Sequence, residues 1–126
     1  MDRETFGSMA PRFPLSSVIR TGDIFWMSGK LGANAETRTM GVGRTAAEVR
    51  NIMESFGDQL AEHGLGFEDV VSVTVYLTDL EGGYQELNQV YAEYFPTNPP
   101  TRAALGISDL VGDAVVEISM TAVRTR

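Results

Sequence analysis

The chain lacks cysteine and has a single histidine, His63. Without thiols there can be no disulfide bonds, thiol nucleophiles or thiolate metal sites. One histidine excludes a two-histidine mechanism or a histidine-rich metal site within one chain. No apolar run reaches 18 residues, and the first ten residues lack the apolar segment of a signal peptide. We therefore expect a cytoplasmic protein with no membrane partner.

Basic residues are also scarce, with ten against 17 acidic ones and a net charge of -7. An acidic surface repels polyanions and has no basic face from which counterions could be released, so nucleic acid is not an expected partner. The 126 residues, 43% of them hydrophobic, are the size of one globular domain. We expect a flexible N-terminal arm over residues 1–12 and a single domain over residues 13–126.

Hydrophobic periodicity predicts an α+β fold with the order β-β-α-β-α-β-β. Strands are expected over residues 17–21, 24–28, 69–78, 101–108 and 114–123. The first helix is expected to begin with a capping box between Thr45 and Glu48 and to end at Gly64, and the second to span residues 83–95. This order predicts one mixed sheet with both helices on one face. The other face is half apolar, which indicates that self-association covers it.

Two weaker patterns are better explained by structure than by function. Gly41-Val42-Gly43-Arg44-Thr45-Ala46 imitates a dinucleotide-binding fingerprint, but no buried strand precedes it. His63 lies at the predicted end of the first helix, where a histidine is commonly a helix-end residue. The aromatic residues near residues 25–27 and 84–94 are expected to be core.

Arg102 and Glu117 are the strongest candidates for chemistry. Each lies in strand-like sequence, and burial of a charge is costly unless the charge is paired or used. Alternation places Arg102 on the same face as Ala104 and Gly106, whose small size leaves room beside the guanidinium. If the last two strands pair around the turn at residues 109–113, Arg102 and Glu117 lie on nearby rungs. From the residues alone, a structural ion pair and a ligand site are equally good interpretations.

A family resemblance separates these interpretations. The segment Pro99-Pro100-Thr101-Arg102-Ala103-Ala104-Leu105, followed by Val116-Glu117-Ile118, resembles the C-terminal signature of the RidA/YjgF family, also labelled endoribonuclease L-PSP. Met27-Ser28-Gly29 and Asn88 with Tyr91 agree with the family along the middle of the chain. The resemblance implies a chorismate-mutase-like fold and a homotrimer with a central barrel. The endoribonuclease label is not expected to describe this acidic chain.

The resemblance also implies an activity without a metal or cofactor. It is the hydrolytic deamination of reactive enamines or imines, such as 2-aminoacrylate or 2-iminopropionate, to 2-keto acids and ammonia. Arg102 would hold the substrate carboxylate and Glu117 would orient or activate water. Substrate-binding positions would be Ser28, Gly29, Ala104 and Asn88.

Leu15 and Lys30 are predicted to line the same site, and both depart from the family pattern. Leu15 stands where these deaminases usually have tyrosine, and Lys30 stands where glutamine is usual. These changes keep the carboxylate-binding group and alter the surroundings of the deaminase step. A trimeric protein that binds small carboxylates or keto acids without turnover is therefore the alternative function.

Overall fold

The computed structural model describes residues 2–125, which form an α+β fold with one six-stranded mixed sheet and two helices. The elements, in chain order, are β1 (Arg3–Ser8), β2 (Ser16–Thr21), β3 (Ile24–Leu31), α1 (Arg44–Glu62), β4 (Val70–Leu77), α2 (Leu80–Tyr94), β5 (Thr101–Gly106) and β6 (Val116–Val123). The strands lie in the order β1-β2-β3-β6-β4-β5. Within residues 2–125, neither helix is long and apolar enough to cross a membrane.

One core fills the space between the sheet and the two helices. In β6, buried residues alternate with half-buried ones, which is the pattern of a strand covered on one face. Its buried side chains join one hydrophobic cluster with Val49, Ile52 and Phe56 of α1 and with Leu87 of α2. Both helices therefore pack on the same face of the sheet, as the sequence predicts.

The N-terminal segment is not an arm without secondary structure. The sequence predicts a flexible arm over residues 1–12, but Arg3–Ser8 forms β1 and pairs antiparallel with β2. Phe6 attaches β1 to the core, because its side chain packs against the hydrophobic cluster and its ring centroid lies 4.7 Å from that of His63. The observed order is therefore β-β-β-α-β-α-β-β, with one more strand than predicted.

The predicted pairing of the last two strands is also wrong. β5 is an edge strand that pairs in parallel with β4, and β6 pairs antiparallel with the other side of β4. The reason is that β4, α2 and β5 form a strand–helix–strand unit, whose helix lies over the sheet and returns the chain beside β4 in the same direction. β4 thus lies between the strands that carry Arg102 and Glu117.

The two ends of α1 differ in how well the sequence predicts them. At the C-terminal end, Gly64 adopts a left-handed conformation (φ 72°), and the Leu65 N–H donates to the Leu60 carbonyl at 2.9 Å. This is the predicted glycine termination. At the N-terminal end the capping box is absent, because Glu48 is fully buried and its carboxylate binds elsewhere.

Glu48 instead joins α1 to the start of β6. Its Oε1 accepts hydrogen bonds from the backbone N–H groups of Val115 (2.9 Å) and Val116 (3.2 Å), and its Oε2 accepts one from Nε of Arg44 (2.8 Å). Gly32 passes so close that a Cβ there would lie 2.6 Å from the Glu48 carbonyl oxygen. A fully buried carboxylate is tolerated here because backbone and guanidinium donors satisfy it.

We call the sheet surface opposite the helices the open face. It carries Trp26, Leu31 and Leu105, whose side chains are 39–49% exposed. Trp26 was expected to be core. It lies on the open face instead, because it alternates with the buried Phe25 and Met27.

Candidate active site

The arginine part of the candidate site lies between β5 and α2. Tyr84, Asn88 and Tyr91 are spaced four and three residues apart, so they share one stripe of α2 that faces Arg102. Nη1 of Arg102 donates to Oδ1 of Asn88 at 2.8 Å, and Nη2 donates to the Tyr84 hydroxyl at 3.1 Å. The structure therefore places the predicted site residues Arg102 and Asn88 in direct contact.

Aromatic rings complete this part of the site. Cζ of Arg102 lies 4.9 Å from the centroid of the Tyr91 ring and 5.6 Å from that of the Tyr84 ring. Such contacts place the electron-rich face of a ring against the cation. A guanidinium has five N–H donors, and two are used within the described residues, so three are available to a carboxylate.

Tyr91 has an unusual hydroxyl. It is buried and has no hydrogen-bond partner among residues 2–125. Burial raises the pKa of Tyr91 to about 12, and the charge of Arg102 lowers it in opposition. The phenol is therefore neutral at physiological pH and supports Arg102 through its ring.

The glutamate part of the site lies on the open face. β3 is irregular between Met27 and Lys30, and this irregularity brings Gly29 against Glu117 of the neighbouring β6. A Cβ at Gly29 would lie 3.0 Å from Cδ of Glu117 and closer still to its Oε2. Only glycine leaves room for the carboxylate there. Within residues 2–125, no hydrogen bond or ion pair reaches the Glu117 carboxylate, so it is available to a ligand.

Ser28 and Leu15 lie near this glutamate part. The Ser28 hydroxyl donates to the carbonyl of Ser16 at 2.6 Å, which joins β3 to the start of β2. Leu15 directly precedes Ser16, and 46% of its surface is exposed. The sequence-predicted residues Ser28, Gly29, Leu15 and Glu117 thus gather around one end of the β2–β3–β6 region.

Arg102 and Glu117 lie on opposite faces of the sheet. Arg102 is opposite Val73 on β4, and Glu117 is opposite Tyr76 on the same strand. Val73 and Tyr76 are three residues apart, so their side chains, and those of their partners, point to opposite faces. Val73 is core, which places Arg102 on the helix face. The interpretation as a structural ion pair within one chain is therefore wrong.

Lys30 and Ala104 complete the predicted set. Ala104 lies two residues beyond Arg102 on β5, shares its face and packs against the core. Lys30 pairs with the buried Ile118, so its side chain lies on the helix face, opposite to that of Glu117, with Nζ 5.1 Å from the centroid of the Phe56 ring. The structure therefore does not bring Lys30 together with the other predicted site residues.

The sequence interpretation missed one residue of the site. Tyr84 was expected to be core, but 44% of its surface is exposed and its hydroxyl contacts Arg102. Its spacing of four residues from Asn88 on a predicted helix is the signal that was available.

Comparison with known proteins gives consistent matches over nearly the whole chain. The model of the family described as Endoribonuclease L-PSP matches residues 6–124. The 3-aminoacrylate deaminase RutC of Acinetobacter baylyi is 31% identical over 116 residues, which cover 92% of this chain and 91% of that protein.

Solved structures agree with the sequence matches. A YjgF-family protein of Neisseria meningitidis has a TM-score of 0.83 at 28% identity, covering 100% of this chain and 98% of that one. RidA of an Antarctic Psychrobacter species has a TM-score of 0.77 at 28% identity, with coverage of 96% and 97%. The fold described above is thus shared with these proteins.

Proposed function

Because the chain belongs to the Endoribonuclease L-PSP family, which includes the RidA, YjgF and RutC proteins, we propose that it hydrolyses small imines that bear a carboxylate. The products are a 2-keto acid and ammonia. Two observations on residues 2–125 carry this proposal: the Arg102 guanidinium has three unused donors on one face of the sheet, and the Glu117 carboxylate lies unpaired against Gly29 on the other face.

Arg102 is the carboxylate-binding group. Asn88 and Tyr84 hold its two terminal nitrogens, and the rings of Tyr84 and Tyr91 restrict its plane. A guanidinium oriented in advance loses little conformational entropy when it forms two parallel hydrogen bonds with a carboxylate. This arrangement orients the imine without a cofactor.

Glu117 is the proton acceptor for water. Water adds to the imine carbon while Glu117 takes one of its protons and passes it to the nitrogen, which gives a carbinolamine. Glu117 then takes the remaining hydroxyl proton and delivers it to the same nitrogen, so that the C–N bond breaks, the carbonyl forms and ammonia leaves. The imine carbon is already electrophilic, so positioning with general acid–base assistance of about 10²–10⁴-fold is sufficient. Gly29 leaves the room that the Glu117 carboxylate itself occupies.

The two groups act on one substrate through two subunits. In one chain they project from opposite faces of the sheet, so one small substrate cannot reach both groups; Arg102 lies on β5, an edge strand that has no neighbouring strand on its outer side within residues 2–125. The exposed Trp26, Leu31 and Leu105 of the open face support a homotrimer in which the sheets face one another. The proposed site then combines Arg102 of one subunit with Glu117 of the next.

An assay with a short-lived substrate tests the activity. An amino-acid oxidase generates 2-iminopropionate from alanine, and semicarbazide captures the imine that has not been hydrolysed. We expect the protein to reduce semicarbazone formation, and we expect Arg102→Ala to abolish this effect while the oligomer and Tm are preserved. Hydrolysis at the solvent rate contradicts the proposed activity. If a keto acid still binds in an Arg102-dependent way, the protein is a carboxylate-binding protein instead.

A further inference from the structure

A cavity of about 290 Å³ lies on the helix face, between α1 and the first three strands. The strands contribute Phe6, Gly7, Ser17, Val18 and Lys30. The helix α1 contributes Ser55, Asp58, Gln59 and Glu62, and His63 follows directly after it. Arg102, Glu117 and the other residues of the proposed active site are not among these residues. The cavity is therefore a separate feature.

The cavity wall contains a cation, Lys30, that has no partner among the described residues. Lys30 is the only lysine of the chain, and it is half-buried with its Nζ over the Phe56 ring. Within residues 2–125, no ion pair within 4.0 Å and no hydrogen bond reaches this ammonium. Desolvation by burial lowers the pKa of Lys30, and the charge of Glu62 raises it in opposition. A bound anionic group would compensate for the lost water.

Acceptors dominate the α1 side of the same cavity. Asp58 and Glu62 are four residues apart, so their carboxylates lie on one stripe of the helix and take part in no ion pair among the described residues. Gln59 lies on this side too, and its Oε1 is buried without a partner within residues 2–125. The buried Oε1 of Gln59 lacks a donor among the described residues, and the exposed carboxylates of Asp58 and Glu62 add negative charge beside it, so a carboxylate ligand alone does not satisfy this side of the cavity.

From this arrangement we infer that the cavity binds a small α-amino acid as a zwitterion. Its carboxylate accepts from Lys30, and its ammonium group donates to the Asp58 and Glu62 side. With one cation and two carboxylates, the charged walls sum to -1, so a simple anion is repelled while a zwitterion satisfies both sides. Phe6 and Val18 provide an apolar wall for a short aliphatic side chain.

The single lysine allows a direct binding test. Protein labelled with [¹³Cε]-lysine gives one side-chain resonance, from Lys30, and this resonance is followed during titration with L-valine. The titration uses protein that carries Arg102→Ala, so that binding at the proposed active site does not contribute to the signal. The one-charge analogues are 3-methyl-2-oxobutanoate, which lacks the ammonium group, and isobutylamine, which lacks the carboxylate.

We expect saturable shifts of the Lys30 resonance with L-valine, and binding at least about tenfold weaker for either analogue, because each loses a charge-assisted hydrogen bond. In a calorimetric titration, Lys30→Met weakens valine binding by a similar factor, and Asp58→Asn with Glu62→Gln does the same. Asp23→Asn, which neutralises one carboxylate in the exposed β2–β3 turn away from the cavity, leaves binding unchanged.

Three results would overturn the inference. The first is the absence of any Lys30 shift with valine. The second is equal binding of either analogue, which would indicate a simple anion or cation site. The third is unchanged affinity in Lys30→Met with a preserved Tm. None of these results depends on imine hydrolysis, so the two proposals fail independently.

Discussion

Replacement of Glu48 by alanine tests how the fold holds the strand that carries Glu117. Glu48 is fully buried in α1 and satisfies the backbone N–H groups of Val115 and Val116 together with Nε of Arg44. No other side chain forms these three contacts within residues 2–125. Glu48→Ala therefore leaves three buried or half-buried donors without their acceptor.

The cost is large for a single substitution. Each unpaired backbone N–H costs about 1–3 kcal/mol, and removal of one partner from a buried ion pair costs about 3–5 kcal/mol in total. The Arg44 side chain is 16% exposed and recovers part of its hydration, so we expect a loss of about 3–4 kcal/mol in the free energy of unfolding. Glu48→Gln keeps one oxygen acceptor and loses the charge, so about half that loss is expected.

Urea denaturation followed by circular dichroism, at one protein concentration, measures these values. Glu62→Ala is the matched control, because it makes the same substitution on the same helix at an exposed position. Its effect should stay within about 0.5 kcal/mol. A loss below about 1 kcal/mol for Glu48→Ala, or a loss equal to that of Glu62→Ala, would refute the reasoning.

Three further substitutions probe the close contacts and the unusual phenol. Gly29→Ala displaces the Glu117 carboxylate; imine hydrolysis should be lost with little change in Tm, and full activity would contradict the proposed role of this contact. Gly32→Ala places a methyl group against the α1 backbone and should lower the free energy of unfolding, measured by urea denaturation, by about 2 kcal/mol or more. Gly41→Ala is the control, because its methyl group meets no atom within 4 Å, and it should change stability by less than about 1 kcal/mol. Equal effects of the two substitutions would contradict the packing argument. Tyr91 keeps its proton to about pH 12 in the folded state but loses it near pH 10 when unfolded, so the free energy of unfolding should fall between these values. Tyr91→Phe should remove the contribution of this phenol to the loss of stability between pH 10 and about pH 12. An unchanged dependence of the free energy of unfolding on pH in this range would show that the phenol is not responsible.

Local sequence predicts which helices and strands form better than it predicts which strands lie side by side in the sheet. Both helices, the β2–β3 hairpin and the Gly64 termination follow from periodicity and turn chemistry. β1 was missed because its side chains, Phe6 apart, are polar and exposed, so its pairing with β2 leaves no apolar alternation.

The errors at Glu48 and β5 have different origins. Capping-box spacing alone favoured a helix-start role for Glu48, although Glu48, Ile52 and Phe56 recur every four residues and thus belong to the buried stripe. The neighbour of β5 is set by tertiary structure, and the strand–helix–strand order was the available signal for parallel pairing with β4.

The arrangement of the candidate site, like the pairing of β5, could not be predicted from local sequence. The motif residues Arg102, Asn88, Gly29 and Glu117 were identified from the sequence, and the structure places them in two groups. That these groups lie on opposite faces depends on strand order and register, which no local pattern contains. The composite arrangement is therefore an inference that required the fold.

Mixing two inactive variants tests the central proposal, which is that Arg102 and Glu117 of different subunits act on one substrate. Arg102→Ala and Glu117→Gln chains are unfolded together, refolded at equal concentration, and shown by native mass spectrometry to form mixed trimers. If each site combines Arg102 of one subunit with Glu117 of the next, about one site in four is intact, and about a quarter of wild-type imine hydrolysis should return. Mixed trimers as inactive as their parents would contradict the account.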